Sequence, residues 1–108
     1  MRAIIVLVLL YGTSVFADVP KHIQECMDCH GPEGVSQHED MPTIAGASAN
    51  FIEETFAAYQ YDMRKEVKSK YRFGDTSRKP TSMKKLAKTL NDDQIAEAAT
   101  YFSNLPFV

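Results

Sequence analysis

The sequence predicts an all-α fold, on three observations. Apolar residues recur at helical spacing in two stretches: Ile52, Phe56, Tyr59 and Met63, then Ile95, Ala98, Ala99, Phe102 and Leu105. Each stretch follows a residue suited to start a helix, Ser48 and Asn91. No stretch alternates apolar and polar residues as a half-buried strand would, and no repeat or low-complexity tract stands out.

The chain has 108 residues, the length of one domain. Its start reads as something apart. Arg2 gives a short positive end, Ala3 to Leu10 an apolar run, and Val15-Phe16-Ala17 a small-residue cleavage pattern. That is the layout of a secretory signal peptide, and the run is too short to span a bilayer. Residues 1–17 are therefore expected to be removed, leaving a domain of residues 18–108 without a membrane span.

A first helix is expected over Val19 to His30, with Pro20 in its first turn and Ile23, Met27 and His22 on its inner side. Gly31-Pro32-Glu33-Gly34 ends it and opens a loop that runs through Met41 to Gly46. The second helix starts at Ser48. Glu53 and Glu54 sit early, and Arg64, Lys65 and Lys68 late, an order that suits the helix dipole, so this helix is expected to continue towards Gly74. Phe73 to Ser82 reads as a turn-rich linker broken by Pro80. A short segment from Met83 to Leu90 follows. Asn91 and Gln94 then have the spacing of a capping box for the last helix, which Pro106 stops.

Cys26-Met27-Asp28-Cys29-His30 carries the chemistry. Two cysteines three apart, with a histidine directly after, read as a c-type haem attachment site. Residues three apart share one helix face, so both thiols can add to the vinyl groups of one haem, and His30 can offer a ring nitrogen to the iron. A redox disulfide and half a zinc site are the competing readings of the cysteine pair. The first wants a strand–helix–strand context, which this chain does not show. The second wants four ligands, and there is no second cysteine pair, only His22 and His38 to complete the set. Covalent haem is the expectation. Because haem attachment of this kind follows export, a bacterial periplasm is the expected location.

A haem held by one histidine leaves its opposite face open, and what fills that face separates electron transfer from ligand chemistry. The candidates are Met27, Met41, Met63, Met83, His22 and His38. Met27 belongs to the attachment motif itself. Met41 and His38 follow His30 closely, on its own side of a simple wrap. Met63 sits in a helical stripe, where methionine is more often core. Met83 lies far along the chain after a breaker, and is the expected ligand.

Taken together, Cys26-x-x-Cys29-His30, Pro42-Thr43-Ile44-Ala45-Gly46, Met83 and a last helix holding Tyr101-Phe102 resemble a class I cytochrome c. The finer pattern is similar to the single-haem subunit of flavocytochrome c sulfide dehydrogenase and to related small bacterial cytochromes. The resemblance implies three to five helices around one haem. It also implies that the carbonyl of Pro42 accepts the N–H of His30, and that Tyr101 packs towards the first helix. Lys84 and Lys85 depart from the pattern, since small or apolar residues often follow the ligand methionine. One-electron transfer by a carrier that does no bond chemistry itself is the implied function. A haem subunit of a sulfide-oxidising flavocytochrome, or a five-coordinate ligand-binding haem, are the alternatives.

The formal net charge of -2 hides a segregation. Ten basic residues but only two acids, Glu66 and Asp75, lie between Met63 and Lys88, and they bracket Met83. In the fold implied, the haem edge opens near that methionine, so Lys79, Lys84 and Lys85 are expected around the electron exit. The expected partner is a redox protein, a flavoprotein or a terminal oxidase, with an acidic docking face. Export and the haem motif argue against nucleic acid.

Overall fold

A computed structural model describes residues 18–107. The proposed signal peptide lies outside these residues. Among the described residues four helices follow in order: α1 (Lys21–His30), α2 (Ala49–Gln60), α3 (Met83–Thr89) and α4 (Asp92–Ser103). A single 3-10 turn, Pro32–Gly34, follows α1, and two two-residue strands, β1 (Lys68–Ser69) and β2 (Thr81–Ser82), pair antiparallel with Lys68 opposite Ser82.

The helices start where local chemistry starts them. Ser48 accepts from the amide of Phe51 at 3.1 Å and caps α2. At α4 the capping box is complete: the Asn91 side chain accepts from the Gln94 amide, and the Gln94 side chain accepts from the Asn91 amide. Pro20 lies one residue before α1, as its N-cap, and its carbonyl takes the amides of Ile23 and Gln24.

Ile23, Cys26, Met27 and His30 recur at steps of three, one and three along α1, so the attachment motif shares the helix face that enters the core. That core joins Ile52 and Phe56 of α2, Ala87 of α3, and Ile95, Ala98, Ala99 and Phe102 of α4. Each large side chain among them contributes about 1.5–3 kcal/mol by leaving water. The stripe expected on the last helix is thus present, with Leu105 beyond the helix end and packed against the core.

The second helix is shorter than its periodicity predicts. It ends at Gln60, and the chain turns at Asp62, whose φ is +58°. The Met63 amide closes the turn onto the Ala58 carbonyl at 2.7 Å. Met63 itself is 77% exposed, so the fourth member of the predicted stripe lies outside both helix and core. Arg64, Lys65 and Lys68 follow the helix rather than finish it. The expected linker also proves more ordered at its end, because Thr81 and Ser82 are buried and pair with Lys68 and Ser69. Between Tyr61 and Pro80, only Tyr71 is buried.

Candidate haem site

The motif ends α1 under tight steric control. Gly31 has φ +98°, and a Cβ there would come within 2.0 Å of the Val35 carbonyl oxygen, so only glycine lets the chain leave the helix directly after His30. Gly34 lies against the ring of Phe102, which a Cβ would meet at 2.8 Å. The turn after the motif is therefore seated on α4.

His30 is buried, and its Nδ1 lies 2.7 Å from the Pro42 carbonyl. A carbonyl only accepts, so Nδ1 carries the proton and Nε2 keeps its lone pair. Burial lowers the pKa of His30 and favours the neutral ring, which is the form that binds a metal, although the bond to Pro42 pulls the other way. No disulfide joins Cys26 to Cys29, so both sulfurs are available to one haem. Burial pushes Cys26 up to about 12 and also raises Cys29. The Cys26 thiol donates to the His22 carbonyl at 3.2 Å.

These three residues line one side of a cavity of about 810 Å³. Its walls include Ile44, Ile52, Phe56, Leu86 and Phe102, from the loop and from α2, α3 and α4. Phe51 and Val67, 60% and 71% exposed, also face it. Arg64, Lys68, Lys70 and Arg72 bring positive charge to its edge, against Glu25 and Asp40. The residues fit a haem. Two thiols and an imidazole with a free Nε2 stand together, the walls are apolar enough for porphyrin faces, and the cations complement the two carboxylates that haem carries.

Of the six candidates for the second iron ligand, only Met41 and Met83 line the cavity. Met41 precedes Pro42, the residue bonded to His30, and so belongs to the histidine side. Met83 comes from elsewhere in the fold, as the first residue of α3. Met27 is core. His22 is largely buried and faces Glu97, with Nε2 2.8 Å from a carboxylate oxygen but off the line of a hydrogen bond. Lys84 and Lys85, the departures noted in the sequence, are accommodated because Met83 opens a helix. The Lys84 ammonium reaches Asp62 at 2.9 Å, and the Lys85 amide donates to Ser82, the N-cap.

The sequence reading missed the polar frame behind the motif. The carbonyl of Asp28 accepts the amides of Arg72 and Phe73, at 2.8 and 2.9 Å. Its carboxylate takes Gln24 at 3.0 Å and Arg78 at 2.8 Å. The Arg78 guanidinium lies 3.7 Å over the ring of Tyr71, whose hydroxyl donates to Glu25. Arg72 forks onto Asp40 with two 2.6 Å bonds and holds that carboxyl down to about 2. Tyr101 is half-buried at the edge of the core and meets Phe102 edge-on at 5.1 Å; Phe102 is the aromatic that reaches the cavity.

The basic run is split. Lys84 and Lys88 both turn to Asp62. Lys79 and Lys85 flank an adjoining hollow of about 250 Å³ that shares Glu25, Thr81 and Leu86 with the cavity, and neither lines the cavity itself. The cations at its edge come instead from the stretch just after α2.

A helical fold around an apolar cavity, with a Cys-x-x-Cys-His wall, defines a class I c-type cytochrome. The cytochrome c family profile matches residues 11–106, and the chain belongs to that family. It carries covalently attached haem c and works in electron transport. The thiosulfate dehydrogenase electron acceptor of Stutzerimonas stutzeri is 28% identical over 85 residues, 79% of this chain and 34% of that one. Cytochrome c-554(548) of Halomonas halodenitrificans is 32% identical over 82 residues, 76% of this chain and 86% of that one. This chain thus spans about a third of the first relative's length. No helix among the described residues is long and apolar enough to cross a membrane.

Proposed function

We propose that residues 18–108 form a periplasmic single-haem carrier that passes one electron at a time between redox proteins. Cys26 and Cys29 anchor the haem, and His30 and Met83 hold its iron. Bound there, the haem supplies a ferric–ferrous couple. The observation that carries this reading is the 2.7 Å bond from His30 Nδ1 to Pro42, which leaves Nε2 for metal in a cavity that Met83 also lines. Pro42 orients the ring and raises its basicity. The thioether of Met83 favours ferrous iron and lifts the potential.

An acidic face on the partner suits this site. Arg64, Lys68 and Lys70 give the cavity a positive edge, which would steer such a face during encounter. A sulfur-compound dehydrogenase as electron donor is a second reading, favoured by the name of the first relative above. It includes the case in which this chain is the haem subunit of a sulfide-oxidising flavocytochrome, which a flavoprotein co-purifying in equal amounts would reveal.

An absorption spectrum of the exported protein in both redox states tests the assignment. The expected result is covalent haem, a methionine–iron charge-transfer band in the ferric form, and slow carbon monoxide binding to the ferrous form. Cys26→Ala with Cys29→Ala should abolish covalent haem and most folded protein, because the cofactor fills the centre of a small domain. A double variant that folds normally without haem, or a wild type whose high-spin ferrous iron binds carbon monoxide at once, would overturn it.

A further inference from the structure

We propose that Asp28 and Arg78 are positioning residues that set the reduction potential through a charge pair behind the haem wall. The inference rests on the reading that Cys26, Cys29 and His30 carry the haem. Asp28 lies between the two cysteines and is 6% exposed. It does not line the cavity, so it acts through its field and through the wall it holds, not by touching the cofactor. Both carboxylate oxygens and the carbonyl are occupied, the first two by Gln24 and Arg78 and the last by the amides of Arg72 and Phe73. Arg78 is held in turn by the carbonyls of Phe73 and Asp75 and by its stack on Tyr71. Only Tyr71 is buried between Tyr61 and Pro80, so polar ties hold much of that segment to α1. This pair is one of them, beside the Arg72 and Phe73 amides on the Asp28 carbonyl and the Tyr71 hydroxyl on Glu25.

The sign follows from burial. A negative charge near iron favours the ferric state, and a positive charge favours the ferrous state. The Asp28 side chain is 9% exposed and the Arg78 side chain 32%, so water screens Arg78 more. Asp28 therefore dominates, and the pair lowers the potential that the histidine–methionine ligand set would otherwise give. Stability alone is a weak reason for a buried charge pair, since such pairs often break even against apolar replacements. A pair whose acid lies inside the haem-bearing motif has an electrostatic task as well.

Redox titration of holoprotein variants tests this, each first checked for the methionine–iron band. Asp28→Asn should shift the equilibrium with a fixed-potential mediator at least threefold towards ferrous iron. That is about 28 mV, at 59 mV per tenfold for one electron. Arg78→Gln should shift it the other way, at least threefold but by less than Asp28→Asn does, and the double variant should fall between the two, on the ferrous side of wild type. Arg78→Lys keeps the charge but loses the stack and fork, and should stay within threefold of wild type. Single variants that lose stability but leave the potential unmoved would overturn the proposal. So would two shifts of the same sign, which would mean that both simply admit water. Failure of the underlying reading is distinguishable, because wild-type protein would then lack covalent haem.

Discussion

Ser82 uses one hydroxyl twice: it donates to Glu66 at 2.7 Å and accepts from the Lys85 amide at 3.1 Å. The first bond ties the residue to the stretch after α2, and the second starts α3. Met83 is the next residue, so its position depends on both. Ser82→Ala should cost about 1 kcal/mol as a lost N-cap. Expressed on the methionine–iron bond, that is about a fivefold easier displacement of Met83 by added imidazole. Imidazole titration of the ferric protein measures it; unchanged binding would mean that the cap stabilises α3 without holding the ligand.

Met83 and Met41 can be separated directly, since both face the cavity. Met83→Ala should keep covalent haem but lose the ferric charge-transfer band, admit carbon monoxide and lower the potential. Met41→Leu and Met63→Leu should keep the band. Loss of the band in Met41→Leu, with its retention in Met83→Ala, would reassign the ligand.

The split of the basic run gives a partner test. Reversal of Arg64, Lys68 and Lys70 to Glu should slow electron transfer to an acidic partner at low salt. Reversal of Lys79 and Lys85 should slow it less, because those two flank the other hollow. The difference should shrink with salt, as the Debye length falls from about 30 Å at 0.01 M to about 3 Å at 1 M. Stopped-flow kinetics across that range decide it, and equal slowing by both sets would remove any docking role for the cavity edge.

Tyr71 predicts alkaline behaviour. Burial and its bond to Glu25 push its phenol up to about 12, above an ordinary value of about 10. A raised folded value means that the neutral form is favoured by folding. Its contribution is complete below about pH 10 and disappears as pH climbs through about 12. Tyr71→Phe should be less stable by about 1 kcal/mol at neutral pH, and the gap to wild type should close over that window. Denaturant titrations at several pH values read the gap; a gap that stayed constant through about pH 12 would mean that ionisation of the phenol is not linked to folding, and no gap at neutral pH would mean that the hydroxyl contributes nothing.

What could be read in the sequence was local. Ser48 and the Asn91–Gln94 box mark helix starts through bonds three residues long, and Cys26 to His30 is a contiguous motif. The end of α2 could not be read, because no Gly or Pro stops it and Met63 continues the apolar period by sequence alone. The turn comes from Asp62, which adopts a left-handed backbone and faces Lys84 and Lys88. The same limit hid the frame behind the motif. Arg78 is 50 positions from Asp28, and Arg72 is 32 from Asp40, so no window of sequence contains either pair. The surroundings of Lys79, Lys84 and Lys85 also depend on how the stretch after α2 folds back, and none of the three lines the cavity.

The scarcity of buried side chains between Tyr61 and Pro80 bears on order of assembly. Helices α1, α2 and α4 meet through apolar faces, whereas this segment is fastened by polar bonds that water can replace cheaply. Chain collapse therefore favours the helices first, with the cofactor's side still accessible and the segment closing last. Pulse-labelled hydrogen exchange during refolding of the holoprotein should protect the amides of Phe56 and Ala99 before those of Arg72 and Phe73, whose acceptor is the carbonyl of Asp28. Asp28 would then act as the catch on which the last segment closes.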